Sequence, residues 1–212
     1  DSNDLDMIQN YKYKKTVNLK NSIKFGFVKG PVWDFGDEDM QHGIEEFVRN
    51  TSLDVEELDL GKDFDDAAKS HEIIMNGSIA KSLYSYYESD KSKLHPFTVK
   101  RIEAGIPVSA SDYIMAIEKA KKMEQILRQV FLKYDAIITP ASTGQAPRDL
   151  MNTGNAIFNG YWTMMGVPAI SLPFLKGKDD LPIGIQFITN WNEDLKLLEI
   201  CKYILKKEKL AD

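Results

Sequence analysis

The residues whose chemistry merits weighing first in this chain are three histidines, one cysteine and a loop punctuated by glycine and proline. His42 and His71 are 29 residues apart, His71 and His95 are 24 apart, and no His-x-x-x-His pair occurs. That spacing offers no metal-ligand set. The histidines fall in predicted helices or a polar loop, and no Gly-x-Ser-x-Gly places a serine on a sharp strand-to-helix turn. A self-contained Ser/His/Asp triad is therefore not expected. Cys201 lies among helically spaced apolar neighbours and reads as a small buried hydrophobe rather than a nucleophile. The loop over residues 139–153 is more informative. Pro140, Gly144, Pro147 and Gly154 punctuate it, and it follows a buried strand, where open α/β sheets place ligand sites. Read for structure alone it is a crossover. Read for chemistry it is one pocket wall beginning at Thr139, with Phe158 and Trp162 supplying apolar surface and Asn155 a polar contact.

The elements that would position these residues follow from apolar periodicity. Runs at 136–138, 169–172 and 183–188, each bounded by Pro or Gly, read as short buried strands. Between the first two, Ile157, Tyr161 (or Trp162), Met164 and Met165 recur at helical spacing until Gly166 and Pro168 end the helix. Upstream, residues 23–28 read as a strand. A helix opening at Asp37 or Glu38 then carries Met40, Ile44, Phe47 and Val48 on one face to about Asn50. A second strand over 55–60 completes a strand–helix–strand unit, which suggests a parallel crossover. The loop after the first strand, Lys29-Gly-Pro-Val-Trp-Asp-Phe-Gly, lacks the Gly-x-Gly-x-x-Gly fingerprint and carries Pro31 and Trp33, so a dinucleotide site is excluded. Residues 64–89 read as helical, with a break expected near Gly77, and a shorter helix over 97–104 ends at Gly105. Ser109 and Asp112 resemble a capping box that starts the longest helix. Its apolar face holds Tyr113, Ala116, Ile117, Ala120, Met123, Leu127, Val130 and Phe131. A last helix, 192–207, is expected to bury Leu195, Leu198, Cys201, Ile204 and Leu205.

Composition bounds the class. At 212 residues the chain fits one domain with a substantial core, and 43% hydrophobic with 28% charged residues is ordinary for a soluble globular protein. A net charge of -5 argues against nucleic acid as a partner. One cysteine excludes an intrachain disulfide framework and leaves a reducing cytoplasm as the expected compartment. No apolar run approaches the ~20 residues a membrane-spanning helix needs, and no signal-peptide pattern opens the chain. Neither a cofactor nor a metal is implied. Residues 1–22 are polar and Lys-bearing (Lys12, Lys14, Lys15, Lys20) and read as a surface connector leading into a portion over 23–212.

The order Thr139-Pro140, Gly/Pro loop, Thr153-Gly154, Phe158-Asn159, Trp162-Thr163, Gly166-Val-Pro-Ala, Ser171-Leu-Pro, then Leu181-Pro-Ile-Gly-Ile-Gln resembles the C-terminal part of amidase signature hydrolases. The resemblance continues upstream through 26–60 and 100–134. It implies an α/β fold: a mixed sheet flanked by helices, one part of the larger amidase α/β/α sandwich. It also implies hydrolysis of a carboxylic amide to acid and ammonia or amine, and makes the wall beginning at Thr139 that of an acyl pocket. In the family a lysine relays protons through a bridging serine to a nucleophilic serine, and backbone N–H groups stabilise the oxyanion. The Gly/Ser-rich segment carrying those serines has no counterpart in these 212 residues, so no catalytic residue is assigned and the chain is expected to be inactive alone. The segment Lys100-Arg101-Ile-Glu-Ala-Gly105 is similar to one in the tRNA-dependent amidotransferase branch, where the arginine holds a substrate carboxylate through its fork. A solvated helix arginine is the other reading. That branch also uses an aspartate where Asn155-Ala156 stands here, which argues against glutamine-type specificity. The resemblance makes the missing N-terminal half, or self-association through an exposed junction near 157–165 and 183–188, the expected partner. The competing class is a stand-alone pseudoenzyme or a binding and assembly module on the same fold.

Overall fold

The computed structural model describes residues 16–149 and 151–208. The first strand, β1 (Lys24–Phe27), leads through a helix, α1 (Glu38–Asn50), to β2 (Asp54–Glu57). The Asp37 carboxylate accepts the Met40 N–H at 2.9 Å, and Glu38 and Asp39 occupy the first turn, so the helix starts where charge and an N-cap favour it. Three helices follow: α2 (Ala67–Asp90), α3 (Pro96–Gly105) and α4 (Ala110–Lys133). Pro96 stands in the first turn of α3, where its missing N–H costs nothing. The Ser109 hydroxyl accepts the Asp112 N–H at 3.0 Å and donates to the Asp112 carboxylate at 2.6 Å, a capping box built on the short acid. Then come β3 (Ala136–Pro140), α5 (Ile157–Met165), β4 (Ala169–Lys176), β5 (Pro182–Ile188) and α6 (Asp194–Lys207). Gly166, at φ 67°, caps α5 in the left-handed conformation that only glycine adopts without cost.

The five strands form one mixed sheet in the order β2-β1-β3-β5-β4. Strand β1 is parallel to both β2 and β3, whereas β3 and β4 both run antiparallel to β5. Side chains alternate across a strand, so register decides which residues share a face. Ile138, Phe187 and Ile170 are aligned on one face, where the Phe187 ring meets Phe174 and Phe174 meets Phe47 of α1. Thr139, Gln186 and Ser171 are aligned on the other, the side on which α5 lies. Helix α6 packs on β4 and β5, and its end is fastened to the end of α1 by Glu208, which accepts the Thr51 hydroxyl at 2.8 Å. Helices α2, α3, α4 and α5 pack on one another. The α/β class, the mixed sheet and the flanking helices thus match the reading of the sequence.

Three expectations are corrected. Helix α2 is continuous through Gly77, because that glycine makes room for the Tyr113 ring rather than a break: a Cβ there would lie 3.0 Å from the ring. Helix α6 buries Leu197, Ile200, Cys201 and Ile204, while Leu198 is exposed. Its apolar residues cover more than half the circumference, so contact with the sheet, not periodicity, sets the face. The segments 157–165 and 183–188 are not an exposed junction. Phe158, Tyr161, Trp162, Ile183, Ile185, Phe187 and Ile188 are all buried, and β4 forms the sheet edge instead. Of the connector read over 1–22, residues 1–15 lie outside the described residues. Residues 16–22 hold no helix or strand, and Lys20 pairs with Asp135 at 2.9 Å. Among the described residues no helix is long and apolar enough to cross a membrane.

Two outcomes follow from this packing. Helices α2 and α3 cross so closely at Gly105 that a Cβ there would overlap the Asn76 carbonyl and press on Ala80. Gly105→Ala should therefore cost about 1–3 kcal/mol, read as a Tm lowered by roughly 2–4 °C per kcal/mol. An unchanged Tm would show that the helices do not approach this closely. Asp135 is buried, which opposes its charge, but the Lys20 ammonium, the Lys24 amide and Lys196 outweigh this and hold its carboxyl below the usual value. A carboxylate with a depressed folded pKa contributes stability above its unfolded pKa, about 4, and that stability is lost as pH falls through the folded value. Asp135→Asn should lower Tm at neutral pH and flatten the loss of Tm below about pH 4. A variant whose acid limb matches the parent would contradict this role.

Candidate functional site

The sheet order places a crevice where ligands usually bind in open α/β folds. From β1 the chain goes outward to β2 and then returns across β1 to β3. Connections therefore leave in opposite directions at the carboxyl ends of β1 and β3, the topological switch point. The β1 side of this crevice is the turn Lys29-Gly30-Pro31, with Gly30 at φ +77°. The β3 side is Thr139 and Pro140, and the ladder continues past β1 through the Val28 N–H donating to the Ile138 carbonyl at 2.9 Å. Helix α5 lies against both. Its Asn159 amide donates to the Ala141 carbonyl at 3.0 Å, and its Tyr161 hydroxyl faces Gly30, where a Cβ would lie 2.7 Å from the phenol oxygen. Burial pushes the Tyr161 phenol above its ordinary pKa, with Thr139 and Trp162 both acting in the other direction. It is therefore a neutral hydroxyl at physiological pH.

The loop after β3 is held in place at its outer end. The Asp37 N–H donates to the Thr143 carbonyl at 2.7 Å. Arg148 reaches Asp179, in the turn between β4 and β5, at 2.6 Å, and the Gln145 amide donates to the same carboxylate. Arg148 and Gln145 hold that carboxyl below its usual value.

The structure brings some predicted site residues together and not others. Thr139, Phe158 and Trp162 are closed into the core beside Tyr161. Asn155 is exposed, and its side-chain oxygen accepts the Ile157 N–H at 3.0 Å, closing the turn that starts α5. Arg101 belongs to a separate group. Its guanidinium donates to Asn76 at 3.3 Å and to Glu72 at 3.4 Å, both on α2, and lies over the Phe97 ring at 5.1 Å. His71 stands between these groups: its ring rests on the bare backbone of Gly160 in α5, where a Cβ would lie 2.5 Å from Nδ1. Burial first, and the Arg101 charge second, lower the His71 pKa and favour neutral imidazole. Sequence reasoning passed over Tyr161, Gly30 and His71. The signals available were the glycine in Lys-Gly-Pro and the Gly160-Tyr161 pair in the helix, neither of which is informative without the sheet order.

Two clefts open nearby. One, of about 450 Å³, lies at the carboxyl ends of β1 and β2, with Gly30, Leu58, Leu60 and Phe64 among its walls. The other, of about 310 Å³, runs between α2, α4 and α5 past His71, Ile74, Ile117 and Thr163. None of the five predicted site residues lines either. Among the described residues no serine, threonine or cysteine side chain is hydrogen-bonded to a histidine or lysine, so the described residues contain no nucleophile–base pair. Burial pushes the Cys201 thiol up to about 11, which removes it as a nucleophile at neutral pH.

Comparison with known proteins places this arrangement. The family model described as Amidase matches residues 1–198. A component of the glutamyl-tRNA(Gln) amidotransferase of Aliarcobacter butzleri (strain RM4018) is 33% identical over 111 residues, 47% of this chain and 24% of that protein. A putative amidase, AmiC, of Mycobacterium leprae (strain TN) is 27% identical over 97 residues, 40% of this chain and 21% of that protein. Among solved structures, one described as the crystal structure of amidase superposes with a TM-score of 0.77 at 17% identity, covering 87% of this chain and 45% of that one. A bacterial aryl acylamidase of the amidase signature family gives 0.65 at 16% identity, covering 84% and 42%. The chain therefore spans about a quarter of these curated relatives and under half of these solved chains. With the family model matching nearly its whole length and the mixed sheet matching these folds, the chain belongs to the amidase family.

Proposed function

We propose that this chain acts within a hydrolase that cleaves a carboxylic amide to acid and ammonia or amine, contributing substrate-pocket wall and scaffold. The observation that carries the reading is the family match over residues 1–198. Cleaving an amide needs an activated nucleophile and donors for the oxyanion. Support for a non-catalytic share comes from the absence of a nucleophile–base pair among the described residues, so the reading assigns those groups to residues outside this chain. The acyl group of the substrate would lie against the switch point, where α5 holds Phe158 and Trp162 behind Thr139. Arg101 and Asn155 are the candidate polar contacts. The companion of this chain would be the remaining part of the amidase sandwich, joined at the open edge of β4.

A second reading, a binding or assembly module without activity, is favoured by the same open edge. Ammonia release from a panel of aliphatic and aryl amides separates the two. The chain alone should give none, and the longest polypeptide that carries it should turn over at least one amide. Turnover by the chain alone, surviving repurification and lost on a point change within it, would refute the division of labour. In the active polypeptide, Arg101→Ala should lower kcat/KM about tenfold or more for an amide bearing a carboxylate, since a hydrogen bond to a charged group is worth about 1.5–3 kcal/mol. Neutral amides should be unaffected. The exposed Arg101–Glu72 pair is worth about 0–1 kcal/mol, so Tm should barely move. A falling Tm with unchanged kinetics would reduce Arg101 to a tie between α2 and α3.

A further inference from the structure

At the end of β3 and on α5, three buried polar atoms have no partner: Thr139 Oγ1, Tyr161 OH and Trp162 Nε1. Their residues are 0%, 0% and 1% exposed. A buried polar group left bare is costly, and three together are hard to sustain unless something binds them. They are neighbours, since Thr139 and Trp162 both act on the Tyr161 phenol, and the Tyr161 and Trp162 rings lie 4.8 Å apart. Proximity is not bonding here, because none of the three reaches hydrogen-bond geometry with another. There is also room. Among the described residues beyond its chain neighbours, only the hydroxyl and Cζ of Tyr161 come within 4 Å of the point where a Gly30 Cβ would stand. Gly30 therefore leaves open space against the phenol, and that space adjoins the cleft of about 450 Å³ that Gly30 helps to line.

We propose that Thr139, Tyr161 and Trp162 form a binding site for one buried water molecule, which ties α5 to the end of β3 beneath the turn that follows β1. The hydrogen count fits water. The Trp162 indole N–H can only donate, so it gives its hydrogen to the water oxygen. The water returns one hydrogen to either the phenol or the Thr139 hydroxyl, and the remaining hydroxyl donates to the water. That makes three bonds, the usual number for a buried water. A purely apolar filler would satisfy none of the three atoms. This assignment rests on packing and polarity alone and does not depend on the amide-hydrolase reading.

The test uses the longest folded polypeptide that carries the chain. Its high-resolution crystal structure should show a water oxygen within roughly 2.7–3.2 Å of both the Tyr161 hydroxyl and the Trp162 indole nitrogen. Thr139→Val and Tyr161→Phe each delete one hydroxyl with little change of shape. If the water bridges the trio, each should lower Tm by about 2–4 °C, and the double variant should lose less than the sum, because both changes disturb the same bridge. Deleting a bare hydroxyl instead removes a burden. A Tm that stays level or rises in both single variants would overturn the proposal. So would a crystal structure in which the hydroxyls and the indole bond one another directly with no water between them. Should Tyr161→Phe fail to fold, Thr139→Val and the crystal structure still decide the question.

Discussion

Strand β3 is the constraint on which the rest of this fold depends. All five of its residues are buried, so its backbone N–H and C=O groups have no access to bulk water and must be paired. The pairing is supplied from two sources of opposite sense, β1 running parallel on one side and β5 antiparallel on the other. The parallel half has to be reached by a long crossover, which is the work of α2, α3 and α4. The antiparallel half is closed by a hairpin whose turn lies between β4 and β5. Because β1 and β3 are parallel, their carboxyl ends finish together, and the only element that returns across both is the nine-residue α5. The crevice, the buried phenol and the three unpartnered polar atoms all follow from that one placement.

The helical layer is held by close approach rather than by bulk. The residues that α2 buries are small or polar, Ala67, Ser70, Asn76 and Ala80, and its larger aliphatics are only half-covered. Glycines on its neighbours complete the fit: Gly105 of α3 meets the Asn76 backbone, and Gly160 of α5 accepts the His71 ring. Small residues at a crossing let backbones approach and leave little space to fill. They also bring polar side chains inward, and Asn76 is reconciled to burial by accepting from Arg101. The arginine that sequence reasoning assigned to a ligand thus has a structural duty in this chain whatever else it does.

Much of the fold was legible because short-range rules decide it. Asp37, Ser109, Pro96 and Gly166 mark helix ends at the positions where the helices start and stop, since capping is local chemistry. The strands were legible from their Pro and Gly boundaries, though β4 continues to Lys176 past the proline expected to end it. What failed did so for tertiary reasons. The face of α6 was ambiguous because Leu195, Leu197, Leu198, Ile200 and Ile204 surround most of the helix, and only the sheet chooses among them. The break at Gly77 was misread because a ring from α4 explains that glycine, and α4 is more than thirty residues away in sequence. The candidate site was half legible: Thr139 and Trp162 were found by following a buried strand into a helix. Tyr161 and Gly30 meet across 131 residues of chain, a contact that no spacing rule can supply.

The two edges of the sheet differ in a way that bears on the junction with the rest of an amidase. Strand β2 carries Asp54, Glu56 and Glu57 at its edge, and Glu56 is gripped by Lys133 first, then Lys24 and Tyr134, which pull its carboxyl down to about 2. Charged residues blunt an edge strand against pairing with another chain, so this side reads as a finished surface. Strand β4 has no such guard over residues 169–172, where Ala169 and Ser171 are exposed and small. Only beyond that stretch does it turn away, with Pro173 lacking an N–H and a register shift between Leu172 and Leu175. An edge left flat for four residues and then interrupted can accept a short strand and no more. The feature that supports joining at β4 therefore also limits how far that joining runs. It places the supporting contact on the same face as Thr139 and Gln186, since Ser171 is in register with both. An element docked there would sit one strand away from the end of β3, near enough for a substrate to be held between it and the switch point.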